Sequence, residues 1–370
     1  MQVTALQLRD FRNYERARAE LGDRLTVVAG PNGAGKTNLL EAVYFACTGR
    51  SPRTSTEREL PRHGVGVARV TLATRDEDGA EHLIEAGFSP GAEKALRVDG
   101  ARVDSLLAVA ERPLVSVFLP DRLDLVKGAP SGRRAHLDSL VAAVWPVRAA
   151  TRTAYSRALA QRNALLARVR AGASSVASLS TWDVELARHG AQLMADRASA
   201  IGLLAPLFEA RGAQLGLAGD SRVEYRPRSA TSTAEGLRAE LGERREADLE
   251  RGFTAHGPHR DDVRLTHAGR ALRTYGSQGQ QRVGLLALLF AERDLLQAQR
   301  GRPPLMLLDD VMSELDSARR ELLADLLCSE GQSLVTTTDL DHVPGARDPG
   351  TTVIEVSDGT LSPAPRQAVG

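Results

Sequence analysis

The sequence is poor in cysteine and in long apolar runs, and each shortage excludes a class of protein. Two cysteines, Cys47 and Cys328, are too few for a disulfide framework or a cysteine-rich zinc site, and they favour a reducing compartment. The longest apolar run, 283–291, is far shorter than the ~20 residues that a membrane span needs. The N-terminal segment carries early charges and lacks the apolar core of a signal peptide. We therefore expect a cytoplasmic protein that makes no use of the membrane.

The net charge of the chain is also small. The 370 residues hold 48 Lys plus Arg against 47 Asp plus Glu, a net charge of +1, and only Lys36, Lys94 and Lys127 are lysines. This near-zero sum conceals 11 basic and 4 acidic residues in 111–170, and 5 basic and 12 acidic residues in 301–370. With 42% hydrophobic residues, the composition is that of a folded protein with two domains, or one domain with an insertion.

Hydrophobic periodicity predicts an α/β fold. Strands are expected at 25–29, 114–119, 263–265, 305–308 and 334–337, and helices at 36–48, 131–217, 280–299 and 317–328. Between 65 and 104, short apolar runs around the turn pair Asp99-Gly100 predict an antiparallel sheet. The helical region has an apolar stripe that Arg162 interrupts, and the polar segment 220–250 is expected to be a linker or an irregular edge.

A glycine-rich loop between the first predicted strand and helix has the spacing GxxxxGK[ST]. Its residues are Gly30, Pro31, Asn32, Gly33, Ala34, Gly35, Lys36 and Thr37. Small residues let backbone N–H groups turn toward a triphosphate, and the helix N-terminus adds its positive dipole end. Lys36 is expected to reach the β- and γ-phosphates, and Thr37 to bind Mg²⁺. The loop therefore predicts ATP and Mg²⁺ as ligands.

Two carboxylates follow the apolar strand 305–308, as at the tip of a buried strand. We expect Asp309 to hold Mg²⁺ and Asp310 to orient or deprotonate the attacking water, so that Lys36, Asp309 and Asp310 are the catalytic residues. About 270 residues separate Lys36 from Asp309, more than a small nucleotide kinase or GTPase core would place there. This separation predicts a large insertion.

The start of the helix 280–299 resembles the signature motif of the ATP-binding-cassette ATPases. The residues concerned are Ser277, Gln278, Gly279 and Gln280. In that superfamily the motif caps the γ-phosphate bound by the opposite subunit, and Ser313 and Asp316 resemble its D-loop. The chain departs from the transporter-type cassette in two respects. Thr337 and Thr338 stand where a switch histidine usually follows the strand, and no convincing Gln-loop is found.

Further segments resemble the RecF family of bacterial recombination mediators, whose members are similar to the heads of SMC-type ATPases. They are 6–14 (LQLRDFRNY), 36–42 (KTNLLEA), 49–54 (GRSPRT), 118–138 and 257–262 (GPHRDD), together with the signature and acidic motifs. The resemblance implies a mixed sheet and an antiparallel sheet around the P-loop helix. It also implies an ATP-binding head at 1–115 with 253–370 and a mainly helical arm at 116–252.

The same resemblance implies a function in recombinational repair and SOS-linked maintenance of replication forks. The family's activity would be slow, DNA-stimulated ATP hydrolysis that drives a homodimer to clamp gapped or junction DNA. RecR and RecO would be its partners in loading RecA, and the protein would be associated with the nucleoid. By the same resemblance, Arg12 and Asn13 are expected to contact the nucleotide.

The basic stretch within 111–170 is a candidate DNA-binding surface, since few acids compensate it locally. The residues selected are Arg122, Lys127, Arg133, Arg134, Arg148 and Arg152. The alternative is an ordinary solvated helical face. Since nothing in the stretch suggests reading of base edges, the expected contacts are with the phosphate backbone and depend on salt.

Three other interpretations carry less weight. His256, His259, Asp261 and Asp262 could suggest a metal site, but Gly257-Pro258 breaks helical spacing, and a structured loop is favoured. A transporter-coupled cassette ATPase is opposed by the missing Gln-loop and switch histidine. A DNA-binding scaffold with an inert nucleotide site is opposed by the complete set of P-loop and acidic residues.

Overall fold

The computed structural model describes residues 1–54, 56–109, 112–217 and 219–363, without the side chain of Asp121. Contacts between residues divide the chain into two compact units, Met1–Arg122 with Leu296–Gly370, and Leu123–Leu295. A strand beginning at Asp262 pairs with one in the segment 220–250, and both lie in the second unit. The predicted division into an ATP-binding head at 1–115 with 253–370 and an arm at 116–252 stays a prediction.

The described residues form fifteen strands and ten α-helices. The strands are β1 Gln2–Phe11, β2 Tyr14–Glu20, β3 Leu25–Ala29, β4 Ala68–Arg75, β5 Glu81–Phe88, β6 Ala95–Val98, β7 Ala101–Arg102, β8 Val115–Phe118, β9 Ser221–Arg226, β10 Asp262–His267, β11 Arg270–Ala271, β12 Leu305–Leu308, β13 Ser333–Thr337, β14 Thr351–Ser357 and β15 Thr360–Pro363. The helices are α1 Lys36–Thr48, α2 Asp124–Lys127, α3 Pro130–Val144, α4 Ala149–Arg170, α5 Leu179–Gln214, α6 Ala234–Glu243, α7 Arg245–Arg251, α8 Leu272–Tyr275, α9 Gln278–Arg300 and α10 Ser317–Ser329.

The first unit contains two six-stranded sheets. One has the order β15-β14-β3-β13-β12-β8 and is parallel except for β15, and the other is antiparallel with the order β2-β1-β4-β5-β6-β7. Helix α1 contacts strands of both sheets, and its Leu39 and Phe45 are buried in one core cluster with side chains from both. The predicted mixed and antiparallel sheets around the P-loop helix are therefore confirmed.

Burial patterns explain why the two sheets differ. Every residue of β3, β12 and β13 is buried, as expected for short apolar strands covered on both faces. Strand β4 instead alternates between buried and accessible residues, which is typical of an antiparallel sheet with one face on the core. Asp99 and Gly100 have φ of 51° and 80°, the left-handed pair that a type I′ hairpin requires, so that the turn predicted there is confirmed.

The second unit combines helices with the small sheet β11-β10-β9. Helices α4 and α5 pack along one another, and Arg162 lies fully buried on the α4 stripe that it interrupts in sequence. Its guanidinium donates to Asp183 and Asp248, each at 2.7 Å. A buried charge is tolerated when it is paired in this way. Removing Arg162 would leave two buried carboxylates without this partner.

The segment 220–250, expected to be a linker or an irregular edge, contains the edge strand β9, helix α6 and most of α7. The linker is therefore wrong, and the edge is a regular strand. Within the described ranges, no helix has the length and hydropathy needed to cross a bilayer.

Candidate nucleotide site and signature segment

The glycine-rich loop connects the end of β3 to the start of α1. Gly33 and Gly35 have φ of 81° and 119°, which side chains disfavour. A Cβ at Gly35 would lie 2.6 Å from the Asn13 amide nitrogen, and one at Gly30 would lie 2.3 Å from the carbonyl oxygen of Val356. Glycine is therefore required at these positions by conformation and by close approach.

Neighbouring chain segments hold the loop from outside. The Asn13 side-chain amide donates to the Ala34 carbonyl at 2.9 Å, and the Tyr14 hydroxyl donates to the Gly35 carbonyl at 2.9 Å. The backbone N–H of Gly359 also donates to Ala34, at 3.2 Å. Asn13 thus positions the loop, and its predicted contact with a nucleotide stays a prediction.

Lys36 lies in the loop with only 7% of its surface exposed. Its ammonium donates to the carbonyls of Gly30 and Pro31 at 2.8 and 3.0 Å. Burial lowers the pKa of Lys36, and the carboxylates of Asp310 and Asp309 act in the opposite direction. The loop therefore contains a desolvated cation close to both predicted catalytic acids.

Asp309 is buried and accepts hydrogen bonds from two hydroxyls. Thr37 donates to one carboxylate oxygen at 2.8 Å, and Thr336, at the end of β13, donates to the other at 2.7 Å. A threonine hydroxyl and a carboxylate oxygen are hard oxygen ligands of the kind that Mg²⁺ selects. The predicted metal ligands Thr37 and Asp309 are thus in direct contact, and their chemistry fits this ion.

Asp310 has a left-handed backbone, with φ 48° and ψ 26°, a conformation that Asp and Asn tolerate better than most residues. Its backbone N–H donates to the Thr336 hydroxyl at 2.9 Å, and Ser313 donates to its carbonyl at 2.8 Å. Among the described residues, its buried Oδ1 has no hydrogen-bond partner. This oxygen is therefore a buried, unsatisfied acceptor next to the predicted metal ligands.

Thr336 connects both acids, and sequence reasoning did not select it. We placed the possible switch function on Thr337 or Thr338, but the Thr337 hydroxyl bonds to the backbone of Asp339 and Thr338 is exposed. The available signal was position, because Thr336 is the residue of β13 that lies just beyond the register partner of Leu308.

Thr336→Val is expected to lower the free energy of unfolding by about 1–3 kcal/mol and to lower ATP hydrolysis. The substitution keeps the shape but leaves the carboxylate of Asp309 and the N–H of Asp310 each short of a partner. Denaturant unfolding and steady-state ATPase assays would measure the two effects. Thr337→Val is the control, since its hydroxyl bonds only to the Asp339 backbone. Equal ATPase losses in the two variants would contradict a specific role for Thr336.

Arg12 is engaged in an ion pair with the fully buried Glu41. Its Nε and Nη2 donate to the two carboxylate oxygens at 2.8 and 2.7 Å, and Nη1 donates to the Glu59 carbonyl at 2.8 Å. Arg53 approaches the same carboxylate at 3.4 Å. In this arrangement Arg12 orients the segment after β1 against α1. Its predicted nucleotide contact would require these bonds to be shared or exchanged.

The signature segment lies in the second unit and has a capping box. The Ser277 hydroxyl accepts from the Gln280 N–H at 3.2 Å, and the Gln280 side chain accepts from the Ser277 N–H at 2.9 Å. Ser277 and Gln278 are exposed. A Cβ at Gly279 would touch nothing closer than 4.0 Å. No contact within the described chain therefore explains the glycine.

The predicted D-loop residues begin α10. Asp316 caps this helix by accepting from the Arg319 N–H at 2.9 Å, and its other carboxylate oxygen accepts from the Arg319 guanidinium at 2.9 Å. Ser313 bonds to the Asp310 carbonyl, as described above. These bonds are consistent with an ordered loop, and its role at an interface stays a prediction.

The basic stretch differs from our expectation. Arg133 is only 5% exposed and forms two bonds with Asp262, and Arg134 donates to the Asp261 carbonyl. Arg148 and Arg152 lie 3.3 and 3.4 Å from carboxylate oxygens of Asp196 and Asp138, respectively. The local shortage of acids does not leave Arg133 and Arg148 without partners, because Asp262 and Asp196 lie outside the stretch. Lys127 is exposed, and the DNA contacts of all six residues stay predictions.

The loop around His259 contains a hydrogen-bonded network and no metal cluster. Asp261 accepts from the Tyr225 hydroxyl and from the N–H of Arg228, and Asp262 pairs with Arg133. Across the described ranges, no group of three or more His, Cys, Asp or Glu side chains could hold a metal ion. The structured loop that we favoured from the sequence agrees with this arrangement.

His259 gives this loop a pH dependence. Its Nε2 lies 3.0 Å from the Thr254 carbonyl, which can only accept, so that Nδ1 accepts from the Tyr155 hydroxyl at 2.7 Å. Burial lowers the pKa of His259 to about 4. Since an unfolded histidine titrates near 6.5, stability is fully present above that pH and is lost as pH falls toward 4.

As pH falls from 7 to 5, we expect His259 to lower the free energy of unfolding by about 2 kcal/mol. The measurement compares denaturant unfolding of the wild type and His259→Gln at both values. The variant should lose less stability, and His63→Gln, at an exposed position, should behave as the wild type. A pH dependence that is the same in all three proteins would show that His259 is not the responsible group.

Comparison with known proteins places this site in a family. Residues 2–361 match the family model described as the RecF/RecN/SMC N terminal domain. The chain is 39% identical over 375 residues to the DNA replication and repair protein RecF of Anaeromyxobacter sp. (strain Fw109-5), covering 98% of this chain and 99% of that one. It is 39% identical over 380 residues to the RecF of Streptomyces avermitilis, with the same coverage.

Solved structures give the same result. The chain is similar to the recombination mediator protein RecF with ATPrS in the RecFOR pathway, at 27% identity and a TM-score of 0.87 over 98% of both chains. A structure of that protein with ATP gives 27% identity and a TM-score of 0.88, again over 98% of both chains. An SMC head bound to the C-winged helix domain of ScpA is 18% identical, with a TM-score of 0.59 over 98% of this chain and 97% of that one. It shows the fold alone.

Proposed function

The chain belongs to the RecF family of DNA replication and repair proteins, and on that basis we propose that it is a Mg²⁺-dependent ATPase that controls a DNA clamp. The relatives named above are DNA replication and repair proteins, and the transporter-coupled alternative is therefore set aside. ATP would bind at the loop 30–37, with the head comprising 1–115 and 253–370. The observation that carries the proposal is the contact between Thr37, Asp309 and Thr336 beside Lys36.

Each residue of the site has a distinct task. Lys36 would exchange its bonds to the Gly30 and Pro31 carbonyls for bonds to the β- and γ-phosphates, which a desolvated ammonium binds strongly. Thr37 and Asp309 would hold Mg²⁺, which when bound neutralises charge on the phosphate oxygens. Asp310 would orient the attacking water through its free Oδ1 and accept its proton. Thr336 would keep both acids in place.

The second half of the site would come from another copy of the chain. Ser277 and Gln278 are exposed at the N-terminus of α9, where N–H groups and the helix dipole favour an anion. The unfilled space beside Gly279 supports the close approach of a phosphate there. Two ATP molecules would then join two heads related by a two-fold axis, and hydrolysis would separate them.

The clamp would act in recombinational repair. In line with the RecFOR pathway named for the related structures, we propose gapped or junction DNA as its substrate and RecR and RecO as its partners in loading RecA. A switch of this kind needs slow hydrolysis, stimulated by DNA, because the dimer must persist while partners assemble. Gap repair, fork maintenance and the SOS response would depend on it.

Sedimentation velocity of the wild type tests the proposal. With saturating Mg²⁺-ATP the protein should shift from monomer toward dimer, and DNA should co-sediment with the dimer. A chain that remains monomeric, or that does not bind DNA in either state, would refute the clamp.

Gly279→Ala tests whether the glycine serves the stability of the monomer or ATP-dependent dimerisation. Since a methyl group fits within the chain and Ala is the better helix former by up to about 1 kcal/mol, the monomer should be as stable as the wild type or more so. ATP-dependent dimerisation should nevertheless weaken, because the methyl group would occupy the space that the phosphate requires. Thermal unfolding and sedimentation measure the two effects. Unchanged dimerisation would remove the argument from this glycine.

A further inference from the structure

Three arginines form a row across the exposed face of the antiparallel sheet. Arg9 on β1 lies directly opposite Arg16 on β2 and Arg69 on β4. All three are exposed, and among the described residues none of them forms an ion pair or a side-chain hydrogen bond. Because adjacent strands are ~4.8 Å apart, the row places three positive charges within roughly 10 Å.

Three other arginines on this sheet are paired with carboxylates. Nitrogen–oxygen distances are 3.9 Å for Arg18–Glu20, 3.1 Å for Arg75–Glu81 and 2.7 Å for Arg102–Glu93. The sheet thus has acids available, but among the described residues none forms an ion pair with the row. Since like charges at directly opposite positions destabilise a sheet, the row works against folding. A structural role does not explain it.

The acids nearest in sequence to the row are engaged elsewhere. Arg62 approaches Asp10 at 3.0 Å and Glu15 at 3.6 Å, so that its single positive charge is shared between both carboxylates. The three row arginines and Arg62 outnumber these two acids, and the local charge stays positive.

The surface beside the row has small side chains and a depression. Following the register past Arg69, the next residues are Gly87 on β5 and Ala95 on β6, which project little from the sheet. A depression of about 210 Å³ is lined by Arg9, Asp10, Arg69 and the segment 65–67, and its acid, Asp10, is paired with Arg62. A bulky, negatively charged chain can therefore approach the three guanidinium groups.

We propose that the Arg9–Arg16–Arg69 row binds the phosphate backbone of DNA. This inference rests on the proposed function, in that it assumes that the chain binds DNA, and adds the surface that does so. Guanidinium groups match phosphate oxygens with two parallel hydrogen bonds. The repulsion within an array of like charges is relieved by a partner that supplies regularly spaced charges of opposite sign, as a phosphate backbone does. Contacts with phosphates carry no sequence information, so that the binding would be independent of sequence.

The test is the salt dependence of DNA affinity in the full chain. Fluorescence anisotropy with a labelled gapped duplex would compare the wild type with Arg9→Gln/Arg16→Gln/Arg69→Gln between 50 and 200 mM salt. If each arginine neutralises one phosphate, the slope of log K against log salt falls by about 2.7 in magnitude. The wild type should then lose about 40-fold more affinity over this range than the triple variant.

A matched control removes the same charge from the same sheet. Arg18→Gln/Arg75→Gln/Arg102→Gln takes away three arginines that are already paired, and it should keep the wild-type slope within about one unit. Thermal unfolding should show the row variant to be at least as stable as the wild type, because like charges are removed. If the triple variant is unstable, Arg9→Gln alone, at the centre of the row, should lower the slope by about 0.9.

The outcomes separate this inference from the proposed function. A wild type that does not bind DNA refutes the proposed function. A wild type that binds DNA, with equal slopes in the row and control variants, refutes the row alone. The row is also refuted as a DNA site if its removal abolishes binding of polyglutamate and leaves DNA binding unchanged, since its ligand would then be an acidic polypeptide.

Discussion

Asp310→Asn is expected to lower ATP hydrolysis by about 10²–10⁴-fold while leaving ATP binding intact, so that a transient dimer becomes long-lived. The free Oδ1 of Asp310 is the only part of the residue that we assign to the attacking water. Asparagine tolerates the left-handed backbone at this position, and the bonds from Asp310 N–H to Thr336 and from Ser313 to its carbonyl involve the backbone. The substitution therefore removes the base and preserves the fold.

Lys36→Met should have the opposite effect on dimerisation. Without the ammonium the loop loses its main contact with the β- and γ-phosphates, and this variant should remain monomeric at ATP concentrations that saturate the wild type. Sedimentation velocity, with ATPase assays on the same samples, measures both variants. A monomeric Asp310→Asn protein with bound ATP would contradict the link between ATP and dimerisation. A fully active one would show that another group activates the water.

Mixing two inactive variants should restore activity. Lys36→Met damages the loop that binds ATP, and Gly279→Asp places a negative charge where the partner's γ-phosphate would lie. An Asp in the first turn stabilises a helix, and the position is open, so that the monomer should fold. In a heterodimer one site combines both defects, and the other combines an intact loop with an intact signature segment.

An equimolar mixture should therefore recover activity up to about half of the wild-type level, since neither variant forms active homodimers and each mixed dimer has one intact site of two. Steady-state ATPase of the separate and mixed proteins measures this directly. As a control, Gly279→Asp mixed with Asp310→Asn should also recover activity, whereas Lys36→Met mixed with Asp310→Asn should not, because both of the latter defects affect the loop-bearing half. Absence of recovery in the first mixture would place the whole site within one chain.

The sequence was most informative where chemistry and conformation are local. The loop 30–37, the strand before Asp309 and the turn at Asp99-Gly100 each have their meaning within a few residues, and all were found at the predicted positions. Helix α9 was also predicted, because its apolar period is strong, and the structure adds the capping box that begins it.

Partners that are distant in sequence could not be predicted. The acids that pair with Arg133 and Arg148 lie 129 and 48 residues further along the chain, and a local charge count treated these arginines as free. Thr336 was missed for the same reason, since its importance comes from Asp309, 27 residues earlier on a neighbouring strand. Strands β1 and β2 were not predicted at all. The row of arginines depends on their pairing, and it was therefore not predicted either.

The central position of β3 has a consequence for how the protein is made. This strand, which leads directly into the ATP loop, pairs with β13 on one side and with β14 on the other, at residues 333–337 and 351–355. Ribosomes add about 5–20 residues per second, so that β3 waits tens of seconds for both neighbours after it is synthesised. Nascent chains should therefore need protection by chaperones during this interval. Chains terminated before residue 351 would lack β14. We expect such chains to be degraded before they can form inactive dimers with intact chains.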